Sequence, residues 1–270
     1  MKKILNDFEV FSDSFIKKLA KSLEENRKII IKSLEIYNNM GDFSKLLDDF
    51  KENIYTLNSI MIHYDYPPID HLSIDILHNF TSIEMNSEEI NEENMNKLVG
   101  NYFDEHHVAE LEKSIHNWNI YDKEKEILIN ALEGYKQEYY DLVIPTLIAR
   151  LEGLVYNSIS YSGNTNYSKL TTVINKAIDN YIGVFSENDS EKENYELVKE
   201  IYKTQYRSQF VFGLDNNVTY IKRHSIMHGN SLNYGTKENA VKLFLQLEYI
   251  YGCLDSLDEV DRDDLLMVLK

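Results

Sequence analysis

The segment TKENAVKLFLQLEYIYGCLDSL (236–257) carries the clearest structural pattern in this chain. Its apolar side chains recur at alternating spacings of three and four residues, which is the period of one helical face. Thr236 is suited to cap the helix at its N-terminus, directly after Gly235. The pattern predicts a long helix that packs lengthwise on another helix, of this chain or of a partner, through Ala240, Leu243, Leu247, Ile250, Leu254 and Leu257.

Most of the remaining chain repeats this helical period. Breaks are expected at the Pro-Pro pair within 64–70, at the loop 160–168 and at the charged connection 186–194, because proline and turn-forming residues interrupt helices. Pro145 should kink or interrupt the helical pattern that runs from 124 to about 159. The other helices are expected at 3–20, 23–39, 43–62, about 169–182, 193–210 and 217–228.

Composition favours an all-α fold. The 270 residues include three prolines and ten glycines, few for a protein of many strands and tight turns, and no segment alternates for long with a period of two. Hydrophobic residues make up 43%, enough for a sizeable core. We expect an N-terminal helical region of unassigned role at 1–122 and a helical bundle at 123–270.

Cysteine content and charge exclude several classes of protein. Cys253 is the single cysteine, so neither an intrachain disulfide framework nor a cysteine-based zinc site is expected. The N-terminus lacks a signal-peptide pattern and no run of about 18 apolar residues occurs, which favours a cytoplasmic protein without a membrane span. A formal net charge of −17 counts against a general nucleic-acid binder but permits a local basic site.

The segment YIKRHSIMHGN (220–230) carries the residues best suited to chemistry. On a regular helix His224 and His228, four residues apart, share a face. Arg223 and His228, five apart, diverge by roughly 140°. Arg223 and His228 therefore meet only if the last turn opens before Gly229, or if the two side chains come from two chains.

These residue types can cleave RNA without a metal ion or a cofactor. Histidine gives and takes protons near neutral pH, so one group can remove the proton of a 2′-hydroxyl and another can protonate the leaving oxygen. Arginine can hold a phosphate with two donors and stabilise the charge that develops on it. By spacing alone the pattern is weak, since helical proteins contain it by chance.

The motif Arg223-His224-x-x-x-His228-Gly229 resembles the R-polar-x-x-x-H signature of the HEPN superfamily. The segments IPTLIARLEG (144–153) and NYGTKENAVKLF (233–244) are similar to the helices that flank this signature in bacterial members. The resemblance covers about 125–260. Lys222 departs from it, because related sequences often carry asparagine there.

This resemblance implies a bundle of four or five helices, frequently dimeric. Many members are metal-independent ribonucleases of toxin–antitoxin, phage-defence or RNA-processing systems, which implies RNA as substrate and an antitoxin or regulatory protein as partner. By position Arg223 and His228 would be catalytic, and His224 would orient or assist. Two alternatives remain open: a catalytically silent HEPN-like binding or regulatory module, and an unrelated helical interaction protein with a chance motif.

Four further residues extend the predicted site. Glu152 lies among apolar residues on one face of its helix, so its carboxylate needs a partner if it is buried, and Arg223 is one candidate. The slightly favoured alternative is that Glu152 forms a salt bridge with another residue or lies at the edge of this face, in contact with water. Lys203, Arg207 and Lys222 join Arg223 in a window, 201–230, of net charge +3, which suits RNA binding. Tyrosines in that window either stack on bases or, as the commoner case, belong to the core: Tyr202, Tyr206 and Tyr220.

Two more expectations follow from spacing and symmetry. Asp104, His107 and Glu110 have a spacing that permits metal ligation on a helix, but a surface helix with incidental histidines is the favoured interpretation, and no metal is expected at the site. A homodimer with its two-fold axis beside the motif would bring a second His228 to Arg223. The alternative second group is His224, which would complete the site within one chain. The apolar seam of the helix after Gly235 offers one surface for that interface, unless packing within the chain uses it.

Overall fold

The computed structural model describes residues 54, 56–69, 76, 91–185, 189–207 and 221–269, and every regular element in these ranges is helical. A helical segment, 56–63, ends before the Pro-Pro pair, as predicted. The helices that follow are α1 (Glu92–Tyr102), a π-helical turn (Phe103–His107), α2 (Val108–Asn117), α3 (Asp122–Lys136), α4 (Tyr140–Ser158), α5 (Tyr167–Phe185), α6 (Asp189–Arg207), α7 (Arg223–Met227), α8 (Lys237–Asp255) and α9 (Glu259–Leu269). The helices predicted at 3–20 and 23–39 lie outside the described residues.

Helix α8, the helix predicted from 236–257, lies at the centre of the bundle. It packs along α4 and also contacts α5 and α1. All six residues of its predicted seam are at most 4% exposed, and side chains on its other faces, such as Val241 and Leu245, are buried too. A helix buried on nearly all sides is a core helix. Of the two alternatives for this seam, packing within the chain is the one found, because contacts within the chain already bury it.

The helical pattern predicted from 124 to about 159 is not interrupted at Pro145. Pro145 lies inside α4, and the helical pattern is interrupted earlier, between α3 and α4, where Glu138 has a φ of +62°. Proline has no N–H to donate to the carbonyl four residues before it, which is that of Asp141. The hydroxyl of Tyr234 donates to this carbonyl at 3.2 Å. A tertiary hydrogen bond therefore satisfies the acceptor that Pro145 leaves free.

Other boundaries also differ from the sequence pattern. Helix α6 begins at Asp189, inside the segment 186–194 that was expected to be a connection. Helix α9 was not predicted. The guanidinium of Arg262 fixes it in place by donating to the carbonyl oxygens of Ser158 at 2.7 Å and Leu254 at 3.1 Å, near the ends of α4 and α8.

Helices on both sides of residue 122 share one hydrophobic core, which extends from Leu57 to Leu269. Helix α1 contacts α8, and α2 contacts α3. The proposed boundary between an N-terminal region, 1–122, and a bundle, 123–270, thus remains a prediction. The described helices on the two sides of this boundary pack against each other. In the described part of the chain, no helix is both long and apolar enough to cross a membrane.

Candidate functional site

The motif helix α7 contacts α4 and α6. It ends at Met227, and the chain then reverses through Gly229, whose φ is +72°. The N–H of Gly229 donates to the carbonyl of Ile226 at 3.0 Å, and the N–H of Asn230 donates to that of Ser225 at 2.8 Å. These two bonds form a Schellman motif, which requires a left-handed residue at Gly229. The N–H of His228 still donates to the carbonyl of His224 at 3.0 Å, so the helical turn is kept up to His228 and the chain leaves the helix at Gly229.

Arg223 and Glu152 form a two-point ion pair between α7 and α4. The Nε of Arg223 donates to Oε1 of Glu152 at 2.6 Å, and Nη2 donates to Oε2 at 3.2 Å. The side chains are 18% and 23% exposed. Glu152 therefore has Arg223 as its partner, and neither alternative for this carboxylate is found. Such a fork fixes the plane of the guanidinium as well as its position.

Three rings continue from this ion pair to the surface. The hydroxyl of Tyr167 accepts a hydrogen bond from Nη1 of Arg223, and the centre of its ring is 5.0 Å from the guanidinium carbon. The ring centres of Tyr167 and His224 are 4.3 Å apart. The rings of His224 and His228 are nearly parallel, at 9°, with their centres 5.7 Å apart. His228 is the exposed end of this row.

The side chains around His224 shift the pKa of its imidazole. Burial lowers the pKa of His224 below its ordinary value of 6.5, and the positive charges of Arg223 and His228 lower it further, while Glu152 raises it. The lowered pKa favours the neutral imidazole of His224, the form that can accept a proton.

The tyrosines of α6 belong to the core. Tyr202 and Tyr206 are at most 1% exposed, so the core interpretation is right and stacking on bases is excluded for both. The hydroxyl of Tyr202 donates to the carbonyl of Gln246 at 3.1 Å. The pKa of Tyr206 is raised by its burial and by the charge of Glu152 and lowered by that of Arg223, so it lies close to the ion pair. Tyr220 is outside the described residues.

The structure describes only some of the basic residues that were predicted to bind RNA within 201–230. Lys203 is exposed, and its Nζ donates to both carboxylate oxygens of Glu200, at 2.7 Å and 3.0 Å, so a neighbouring charge already offsets it. Lys222 is the half-buried N-cap residue of α7 and directly precedes Arg223. The side chain of Arg207 lies outside the described part of the structure.

Asp104 and His107, whose spacing permitted metal ligation, form hydrogen bonds and ion pairs within the chain. His107 lies in the π-helical turn, and its Nε2 is 2.5 Å from Oε2 of Glu248 while its Nδ1 is 3.3 Å from the hydroxyl of Tyr102. Asp104 accepts from Tyr135 at 2.5 Å and pairs with Lys237. Among the residues that the structure describes, no group of three or more His, Cys, Asp or Glu side chains is placed to hold a metal ion.

Tyr167 is the site residue that the sequence pattern missed. It lies 56 residues before Arg223, at the start of α5, in a chain that contains twenty tyrosines. A first-turn tyrosine after a loop carries no motif of its own, so only tertiary contacts distinguish it from the others.

Comparison with known proteins adds no assignment to this geometry. No protein-family model matches the chain, and no curated protein or solved structure resembles it at a significant level.

Proposed function

We propose that this chain is a metal-independent endoribonuclease whose active site contains Arg223, His224 and His228. One observation carries the proposal: Glu152 holds Arg223 in a fixed orientation beside His224, whose lowered pKa favours the neutral imidazole. The HEPN-like motif supports the same activity. A role in phage defence or in a toxin system, restrained by an antitoxin or regulatory protein, follows from that resemblance alone.

The guanidinium of Arg223 has N–H groups to spare for a substrate. It carries five, and the contacts with Glu152 and Tyr167 use three of them. Among the described residues this leaves one on each terminal nitrogen, and both can donate to oxygens of an RNA phosphate. The charge of Arg223 would stabilise the negative charge that builds up on the phosphate in the transition state.

The two histidines divide the proton transfers. His224, which is neutral, takes the proton from a 2′-hydroxyl, and that oxygen then attacks phosphorus. The bond to the 5′-oxygen breaks, and a protonated His228 gives this leaving oxygen its proton. The products are a 2′,3′-cyclic phosphate and a 5′-hydroxyl end.

A second copy of the chain would complete this arrangement. Tyr167 and His224 lie between Arg223 and the ring of His228 in the row, so a phosphate on Arg223 reaches His224 of the same chain first. His228 is the exposed end, and a two-fold axis beside α7 would carry it to the Arg223 of the other copy. The proposed site is therefore built from both chains of a homodimer.

The test is cleavage of a mixed-sequence single-stranded RNA in the presence of EDTA. The wild-type protein should leave 2′,3′-cyclic phosphate ends, and Arg223→Ala and His228→Ala should each lower the rate by about 10² or more. The matched control is His116→Ala, because His116 is an exposed histidine of α2, a helix that contacts α3 and the π-helical turn. Equal rates for the wild type and the two site variants would reject the proposed activity and leave a binding module as the function.

A further inference from the structure

The side chain of Tyr167 contacts two of the proposed functional groups at once. Its hydroxyl accepts a hydrogen bond from Nη1 of Arg223, and its ring lies 4.3 Å, centre to centre, from that of His224. The cation of Arg223 also lies 5.0 Å from the ring centre, within the range of a cation–π contact. Arg223 and His224 are neighbours in sequence and project from α7 in different directions, so a shared contact fixes their relative positions.

The backbone of Tyr167 is itself held in place. Asn166 caps α5: its Oδ1 accepts from the N–H of Lys169 at 2.9 Å. The carbonyl of Asn166 accepts from the hydroxyl of Tyr156, on α4, at 3.0 Å. Tyr167 follows this anchored residue directly, and a capped first turn has little freedom to shift. The helix that carries Glu152 therefore also sets the position of the tyrosine.

We propose that Tyr167 is a positioning residue, which sets the spacing between the guanidinium of Arg223 and the imidazole of His224. This inference rests on the ribonuclease function proposed above. The hydroxyl and the ring have separate tasks. The hydroxyl occupies one N–H of Arg223 and so directs the remaining donors towards the substrate. The ring packs against the imidazole of His224 at 4.3 Å, centre to centre, and so contributes to its burial, which is the largest cause of the lowered pKa of His224.

Two substitutions separate these tasks. Tyr167→Phe keeps the ring and removes the hydroxyl, so kcat should fall about fivefold with KM nearly unchanged, because a single hydrogen bond to a charged group is lost. Tyr167→Ala also removes the cover from His224, so the pKa of His224 should rise towards 6.5, and the acid limb of the rate profile should move up with it. Tyr121→Ala, at a tyrosine that is 70% exposed, is the control.

The experiment follows the His224 imidazole by NMR in the full-length protein without RNA, and measures RNA cleavage on the same samples. A rise in the pKa of His224 in Tyr167→Ala, together with the loss of kcat in Tyr167→Phe, supports the inference. A titration of His224 unchanged in folded Tyr167→Ala, or wild-type cleavage by Tyr167→Phe, overturns it. If Tyr167→Ala does not fold, the cleavage rate of Tyr167→Phe decides. A shifted titration in a protein that never cleaves RNA would overturn the ribonuclease and leave the positioning contact standing.

Discussion

Glu152 and Arg223 lie 71 residues apart in the chain and are joined by two hydrogen bonds, of 2.6 Å and 3.2 Å. The pair connects α4, a helix of the core, to α7, a helix of five residues. A helix this short has little stability of its own. The ion pair and the Schellman turn at Gly229 therefore decide where the side chains of the motif lie.

Removal of the Glu152 carboxylate should destabilise the protein and misplace Arg223. We expect Glu152→Ala to lower the free energy of unfolding by about 2 kcal/mol, because a partly buried guanidinium loses its charged acceptor. Glu152→Gln, which keeps one acceptor oxygen, should cost about half as much. Urea unfolding measures both, with the fluorescence of Trp118 as a probe, since this single tryptophan is 6% exposed and stacked on Tyr251.

The control for this series is Glu200→Ala, which breaks the exposed pair with Lys203 and should change stability by no more than about 0.5 kcal/mol. A Glu152→Ala variant with the unfolding curve and the cleavage rate of the wild type would show that the ion pair has neither role.

The lowered pKa of His224 predicts a particular dependence on pH. The unfolded chain, with a histidine pKa near 6.5, takes up a proton before the folded chain does. The folded state therefore loses stability as the pH falls through about 6.5, and the loss stops below the folded pKa. His224→Asn should be less sensitive over that interval, measured by urea unfolding between pH 8 and pH 5. If the two proteins lose stability in parallel, the pKa of His224 is not lowered by folding.

The same pKa sets the acid limb of the reaction. If His224 is the proton acceptor, kcat/KM should stay high to a pH below 6.5 and fall only when the imidazole becomes protonated. A rate profile recorded with a labelled single-stranded RNA gives the midpoint. A midpoint at or above 6.5 would assign the proton transfer to another group.

Gly229 should tolerate asparagine better than alanine. No atom lies within 4 Å of a Cβ added at Gly229, so the cost comes from its φ of +72° and not from a clash. Alanine disfavours this region by about 1–2 kcal/mol, whereas asparagine visits it more readily. We expect Gly229→Ala to lower both stability and cleavage, because His228 is the adjacent residue, and Gly229→Asn to retain most of both. Thermal unfolding and rates for the two variants, made in parallel, test the turn; equal effects would contradict this explanation.

The proposed homodimer needs an apolar surface near His228. Met227 is 40% exposed and Leu232 is 72% exposed, and in the sequence they lie on either side of His228, the exposed end of the ring row. Light scattering at micromolar concentrations should give the mass of a dimer, and Leu232→Glu should give a monomer with little activity. Val260→Glu, at an apolar residue of α9 that is 68% exposed, should remain a dimer.

A site shared between two chains also predicts complementation. A mixture of Arg223→Ala and His228→Ala proteins contains heterodimers in which one of the two sites keeps both groups, so cleavage should return in part. A mixture as inactive as its components, or an active wild-type monomer, would place the whole reaction within one chain.

The sequence by itself determined the fold class and the ends of several elements. Spacing of apolar residues by three and four depends only on local geometry, so it predicted the helices around 169–182 and within 236–257, which the structure has at Tyr167–Phe185 and Lys237–Asp255. The N-cap of α8 was equally readable, since the side chain of Thr236 accepts from the N–H of Asn239 at 3.2 Å. The end of α7 could also be predicted from the sequence, because Gly229 adopts the left-handed conformation of the turn without strain.

Only the tertiary structure decided which of these helices meet and what they share. The apolar pattern of α8 did not reveal that the helix is buried on nearly all sides, because the pattern describes one helix and not its neighbours. Pro145 was expected to kink or interrupt its helix, and the helix is not interrupted there, since the hydroxyl of Tyr234 donates to the carbonyl that proline leaves free. Glu152 and Tyr167 reach Arg223 across 71 and 56 residues of chain. Contacts at such separations depend on how α4, α5 and α7 pack together, and a local pattern of residues carries no information about that packing.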